Sequence, residues 1–140
     1  MRRLLSQYFI LTVFTIGLLG CGQKGGSSPE EVIMKNAEYM EKEDMSGVKS
    51  TIDHDSPNYD ASLNTIQFLF DNYDLKYTIE SIEIIEQSEN EAKIKYVQLT
   101  TKVNGPAFKD NRYTGIHTLK KKDDGWKIYS TEQLNIEFLN

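Results

Sequence analysis

The spacing of apolar positions changes character along this chain. Tyr8 to Leu19 reads Tyr-Phe-Ile-Leu-Thr-Val-Phe-Thr-Ile-Gly-Leu-Leu, almost wholly apolar, with Arg2 and Arg3 before it. The run is shorter than the roughly 20 apolar residues a membrane-spanning helix needs. A basic start followed by a short apolar run is the layout of a secretory leader. From Pro29 the spacing becomes helical, with Ile33, Ala37 and Met40 at i, i+4 and i+7. Ser27 or Ser28 supplies an N-cap, Pro29 suits the first helical position, and Glu30 and Glu31 meet the positive end of the helix dipole. This predicts a helix to about Lys42. Asp44 caps a second, short helix over Met45 to Ile52. A polar loop from His54 to Tyr59 leads to Asp60, which caps a third helix with Leu63, Ile66, Phe70 and Tyr73 on one face.

After Tyr73 the period drops to that of a strand. Leu75, Tyr77 and Ile79 alternate, and the slip of phase near Ser81, before Ile82, Ile84 and Ile85, predicts a bulge. Gln87 to Asn90 is a turn. Ala92, Ile94 and Tyr96 alternate with Lys93 and Lys95, and Gly105-Pro106 ends that strand. Arg112 to Lys121 forms a third strand, and Asp123-Asp124-Gly125 is a hairpin signal. Trp126, Ile128, Leu134, Ile136 and Phe138 mark the last strand. Three helices followed by a four-stranded antiparallel meander predict an α+β fold, with the helices on one face of a curved sheet.

Charge and composition narrow the function classes. The 140 residues fit one folded domain after the leader, and the net charge of −5 argues against nucleic acid as a partner. Cys21 is the one cysteine, so neither an intrachain disulfide nor a thiolate zinc site is expected. His54 and His117 match no short metal-ligand spacing. Asp53, Asp55, Asn58 and Asp60 lack the spacing of a calcium loop. The sequence calls for no metal and no cofactor. Lys120, Lys121 and Lys122 read as a solvated edge that discourages sheet-to-sheet pairing.

Leu18-Leu19-Gly20-Cys21 resembles the lipobox of bacterial lipoproteins. The resemblance implies that residues 1–20 are a signal peptide, that the Cys21 thiol is acylated, and that Cys21 becomes the mature N-terminus. Residues 21–28 then form the lipidated cysteine and a flexible tether, since Gly22 to Ser28 is rich in Gly and Ser. The expected place is the extracytoplasmic face of a cell membrane, held through acyl chains. Losing Arg2 and Arg3 with the leader takes the net charge from −5 to −7.

Residues 29–140 resemble the nuclear transport factor 2-like superfamily, the cone-shaped cystatin-like α+β fold to which ketosteroid isomerase also belongs. The resemblance rests on the helical start, on Tyr73-Asp74-Leu75-Lys76-Tyr77, and on the ending from His117-Thr118-Leu119 through Asp123-Asp124-Gly125-Trp126-Lys127-Ile128. Such a fold implies a cone between helices and sheet, and it hosts enzymes, binding modules and interaction modules alike.

Strand alternation nominates a polar set for that cone. If Leu119 faces inward, His117 does too; if Trp126 and Ile128 face inward, Ser130 and Glu132 follow. Tyr96, Gln98, His117 and Glu132 are therefore the candidate pocket. The preferred reading is a binding or interaction module for a small apolar ligand or an envelope protein, with a homodimer through the sheet as a further option. Val97, Leu99, Tyr113, Ile116 and Tyr129 would form the outward apolar patch of such an interface. The alternative is a small hydrolase, dehydratase or isomerase with His117 as base; no residue is assigned as catalytic. For the leader and anchor the test is direct. Cys21→Ala should abolish labelling by a fatty-acid analogue and leave the precursor uncut, whereas unchanged labelling would refute the lipobox reading.

Overall fold

A computed structural model of the chain describes residues 26–139. The leader and Cys21 lie outside the described residues. Helix α1 spans Pro29–Glu41, α2 Met45–Thr51 and α3 Tyr59–Asn72. The start of α1 is a capping box. The Ser28 hydroxyl accepts from the Glu31 N–H at 3.2 Å, and the Ser28 N–H donates back to the Glu31 carboxylate at 3.1 Å. Asp44 caps α2 by accepting from the Gly47 N–H at 2.9 Å. Gly47 has to be glycine, because a Cβ there would stand 2.3 Å from the Tyr39 ring of α1. The third helix departs from the sequence expectation. Its N-cap is Asn58, without a side-chain cap, and Asp60 lies in the first turn. Successive turns, from Ser56 N–H to Asp53 C=O and from Tyr59 N–H to Ser56 C=O, carry the chain into helical geometry before Asp60 is reached.

The four strands are β1 Asp74–Gln87, β2 Glu91–Asn104, β3 Asn111–Lys122 and β4 Gly125–Phe138, antiparallel neighbours in chain order. The slip expected near Ser81 is present as a register shift between Ile79 and Ser81, and two further shifts lie between Asp74 and Leu75 and between Ile84 and Glu86. Pairing of Ala92 with Leu119, and of Leu119 with Ile128, puts these three on one face. Against that face α1 lays Val32 and Ile33. Ile33 is 2% exposed, and Ile94 and Leu119 are fully buried. Trp126 and Ile128 complete a single core cluster.

The open edge of β4 is partly covered. Ile52 makes a parallel bridge to Ile128, and the Asp53 N–H donates to the Ile128 carbonyl at 2.8 Å. This buries the Asp53 side chain to 2% exposure, with Lys122 Nζ 3.1 Å from Oδ2. Oδ2 has no well-aligned hydrogen bond, so the ammonium balances its charge rather than satisfying its geometry. Lys122 also reaches Asp55 at 2.9 Å. The solvated-edge reading therefore fails for Lys122, which ties the β3–β4 hairpin to the α2–α3 link. Lys121 is exposed as expected, and Lys120 lies 3.4 Å over the Tyr129 ring.

Packing is uneven along the sheet. Helix α3 has no fully buried residue, and its Phe68 is 58% exposed. Val103 on β2 and Phe138 on β4 are 70% and 59% exposed. Pairing of Asp74 with Asn104 and of Asn111 with Phe138 places these strand ends together, beyond the core. The filled end and the open end should respond differently to truncation. Ile94→Ala should cost about 2–5 kcal/mol in chemical denaturation. Phe68→Ala should stay within about 0.5 kcal/mol, as exposed positions do.

Candidate functional site

His117 sits in mid-β3, paired with Ile94 of β2 and Thr131 of β4. Its face also carries Gly115, which pairs with Tyr96. A Cβ at Gly115 would stand 2.6 Å from the Tyr113 ring, 2.9 Å from the Glu132 carbonyl oxygen and 3.2 Å from the Tyr96 ring. The missing side chain leaves room for an aromatic stack. Tyr96 lies on His117 with ring centroids 4.2 Å apart and planes 9° from parallel, and Tyr113 lies 5.8 Å from Tyr96. The Nδ1 atom of His117 is 2.8 Å from the Thr131 hydroxyl.

Burial sets the electrostatics of this cluster. Desolvation lowers the His117 pKa to about 4, opposed by a hydrogen bond with the Ser130 backbone. The imidazole is therefore neutral at ordinary pH. Burial, and then the neighbouring Tyr113, push the Tyr96 phenol upward. Burial also raises Tyr113.

Three of the four nominated residues share the inner face, and one does not. Tyr96, Gln98 and His117 share it through the pairings of Tyr96 with Gly115, Gln98 with Tyr113 and Ile94 with His117. Gln98 bonds to Thr100 at 3.2 Å rather than to His117. Glu132 pairs with Ile116, on the opposite face, and is exposed. The cause is a bulge. Leu119 pairs with Ile128 and Thr118 with Ser130, so Tyr129 is skipped and the alternation inverts. Thr131 thus takes the place beside His117 that simple alternation gives to Glu132. No carboxylate orients the imidazole, so the His–Glu base pair of the enzymatic reading is not assembled.

One further expectation changes. Tyr113 faces inward, opposite Gln98 and Ile136, and not outward. Val97, Leu99, Ile116 and Tyr129 lie half-buried on the outer face of the sheet. Asp44 caps α2, as its place before Met45 predicts.

Between α3 and β4 lies a cavity of about 240 Å3 that reaches His117 and Thr131. Ile52, Ile66 and Ile128 form its apolar walls. Asn36, Asn58 and Ser62 add amide and hydroxyl groups from the helical side. A larger groove of about 490 Å3 runs between α1 and β1, without His117.

The buried neutral imidazole makes stability depend on pH. An unfolded histidine titrates near 6.5 and the folded one near 4, so the unfolded chain binds the extra proton between those values. The contribution is complete above about pH 6.5 and is lost as pH falls toward 4, by roughly 3 kcal/mol in all. His117→Gln should flatten the wild-type loss over this window in denaturation curves taken at successive pH values. Parallel curves would refute the buried neutral state.

The comparisons agree with this architecture. A ketosteroid isomerase-like protein from Erwinia carotovora atroseptica superposes with a TM-score of 0.57 at 17% identity, covering 81% of this chain and 98% of that one. A nuclear transport factor 2-like protein of unknown function from Shewanella oneidensis MR-1 gives 0.58 at 15% identity, over 76% and 95%. A protein of unknown function with a cystatin-like fold from Nostoc punctiforme gives 0.61 at 10% identity, over 74% and 85%. The chain has the nuclear transport factor 2-like fold. In sequence it is 42% identical over 74 residues to the anti-sigma-I factor RsgI9 of Acetivibrio thermocellus. That match covers 53% of this chain and spans 10% of the relative's length. Residues 31–139 match the family described as the C-terminal domain of anti-sigma-I factor RsgI9, and the chain belongs to that family.

Proposed function

We propose that this protein is an anchored interaction module of the extracytoplasmic face. Residues 1–20 serve as signal peptide. Cys21 carries the acyl chains, residues 21–28 are the tether, and residues 29–140 are the domain that engages a small ligand or an envelope protein. The observation that carries this reading is the polarity of the fold. Gly26 and Ser27 share a depression with Lys121 to Trp126, at the hairpin end of the sheet. The exposed Val103 and Phe138 lie at the opposite end. Cys21 precedes Gly26 by a stretch that reaches at most about 18 Å when extended. An anchor at Cys21 therefore keeps the hairpin end near the bilayer and leaves the Val103 and Phe138 end free to reach partners farther from it. The Acetivibrio relative is named for action against a sigma-I factor, and membership of its C-terminal family supports a role in contacts rather than in chemistry.

The reading is tested in cells with a photoreactive phenylalanine at position 138 or at position 121. Position 138 should give a discrete adduct with one envelope protein, and position 121 should not. A second copy of this chain captured at 138 would assign the open end to self-association. Equal capture at both positions, or none at 138, would refute the reading.

A further inference from the structure

The cavity between α3 and β4 is set apart by its chemistry. Charged residues make up 26% of the chain, yet among the described residues none lines this space. Its polar groups come from separate elements: Asn36 from α1, Asn58 and Ser62 from the start of α3, and His117 and Thr131 from the sheet. Apolar walls alternate with them. At about 240 Å3 it falls just under the roughly 300 Å3 at which drug-sized pockets begin. The helix that roofs it has no fully buried side chain, so the roof is held by few apolar contacts.

We propose that this cavity binds a small, uncharged solute rich in hydrogen-bonding groups, of the polyol or amide class. The argument is one of exclusion. A carboxylate or an ammonium would surrender its hydration with no opposite charge to meet it. A wholly apolar molecule would displace water from the donors and acceptors that the Asn36–Thr51 and Thr131–His117 contacts leave over, and would give them no partner. A neutral polyol or amide satisfies donors and acceptors together. His117 Nδ1 and the Thr131 hydroxyl pair with each other, and the tautomer and rotamer of that pair decide whether the Thr131 oxygen offers the cavity a donor or an acceptor. This rests on the reading of the domain as a binding module and corrects the ligand class from apolar to polar. It is independent of the lipid anchor.

The test uses the full chain purified in detergent micelles, followed by NMR of the His117 ring and the methyl groups of Ile66 and Ile128. The probes are myo-inositol and N-acetylglucosamine, against glucuronate and glucosamine as charged analogues and toluene as an apolar one. At least one neutral probe should give saturable shifts at millimolar concentration, with the charged analogues weaker by about tenfold or more. Ser62→Trp should abolish the shifts while keeping wild-type circular dichroism. Thr131→Val, a near-isosteric change at an exposed position, should weaken binding by about tenfold. Tighter binding of a charged or apolar probe would overturn the proposal. So would no response to either neutral probe, or full binding by Thr131→Val. The cellular crosslinking experiment reads the open end of the sheet, so either test can fail while the other stands.

Discussion

The structure depends on the seating of α1 against the inner face of the sheet, where Val32 and Ile33 join Ile94 and Leu119 in one core cluster. Each fully buried aliphatic side chain of this kind contributes about 1.5–3 kcal/mol. The contact does more than add stability. It fixes which face of β2 and β3 is inner, and a strand slipped by one residue would turn every inner side chain out. With Leu119 held inward, His117 and Gly115 follow, and Tyr96 stacks over the imidazole. The helix boundary matters for the same reason: the capping box at Ser28 and Glu31 sets where α1 begins, and hence which residues it offers to the sheet.

Much of the fold was legible because local signals and long-range packing agree. The Ser28 and Asp44 caps, the β1 bulge near Ser81 and the Asp123-Asp124-Gly125 turn are all read from short stretches of sequence. The candidate site was legible only in part, and β4 shows why. Trp126, Ile128, Leu134, Ile136 and Phe138 all occupy even positions, with Tyr129 on the other parity, as one regular strand would have them. The register instead contains two slips, skipping Tyr129 and Leu134. The first inverts the alternation and the second restores it. Between them Thr131 and Gln133 face inward and Glu132 faces out. Two bulges that cancel leave no trace in the pattern at either end, so Thr131 was missed and Glu132 was wrongly placed beside His117. Tyr113 has the parity of His117 and Leu119, not that of Ile116, and therefore turns inward. Lys122 was misread because its partner Asp53 is remote in sequence, and only the Ile52–Ile128 bridge brings the two together.

The resulting domain has unlike ends. Near the tether Lys122 staples the β3–β4 hairpin to the α2–α3 link, and the core cluster lies beneath it, while Ile84 and Ile85 of β1 stay exposed. Toward the far end of the sheet α3 and the last residues of β4 leave large apolar side chains exposed. Between these ends lies a histidine too thoroughly desolvated to carry charge at ordinary pH, with a hydroxyl instead of a carboxylate beside it. That combination suits recognition of a neutral partner better than proton transfer, which gains from an orienting carboxylate.

The central claim is that stability is concentrated at the tether end, while the recognition end is held lightly. Native-state hydrogen exchange reads this residue by residue. The account predicts that the slowest amides belong to Ile33, Ile94 and Leu119, opening only with global unfolding. Amides of α3 should exchange at least about a hundredfold faster, through local opening. Protection of α3 equal to that of α1 would show a uniformly packed domain and contradict the account.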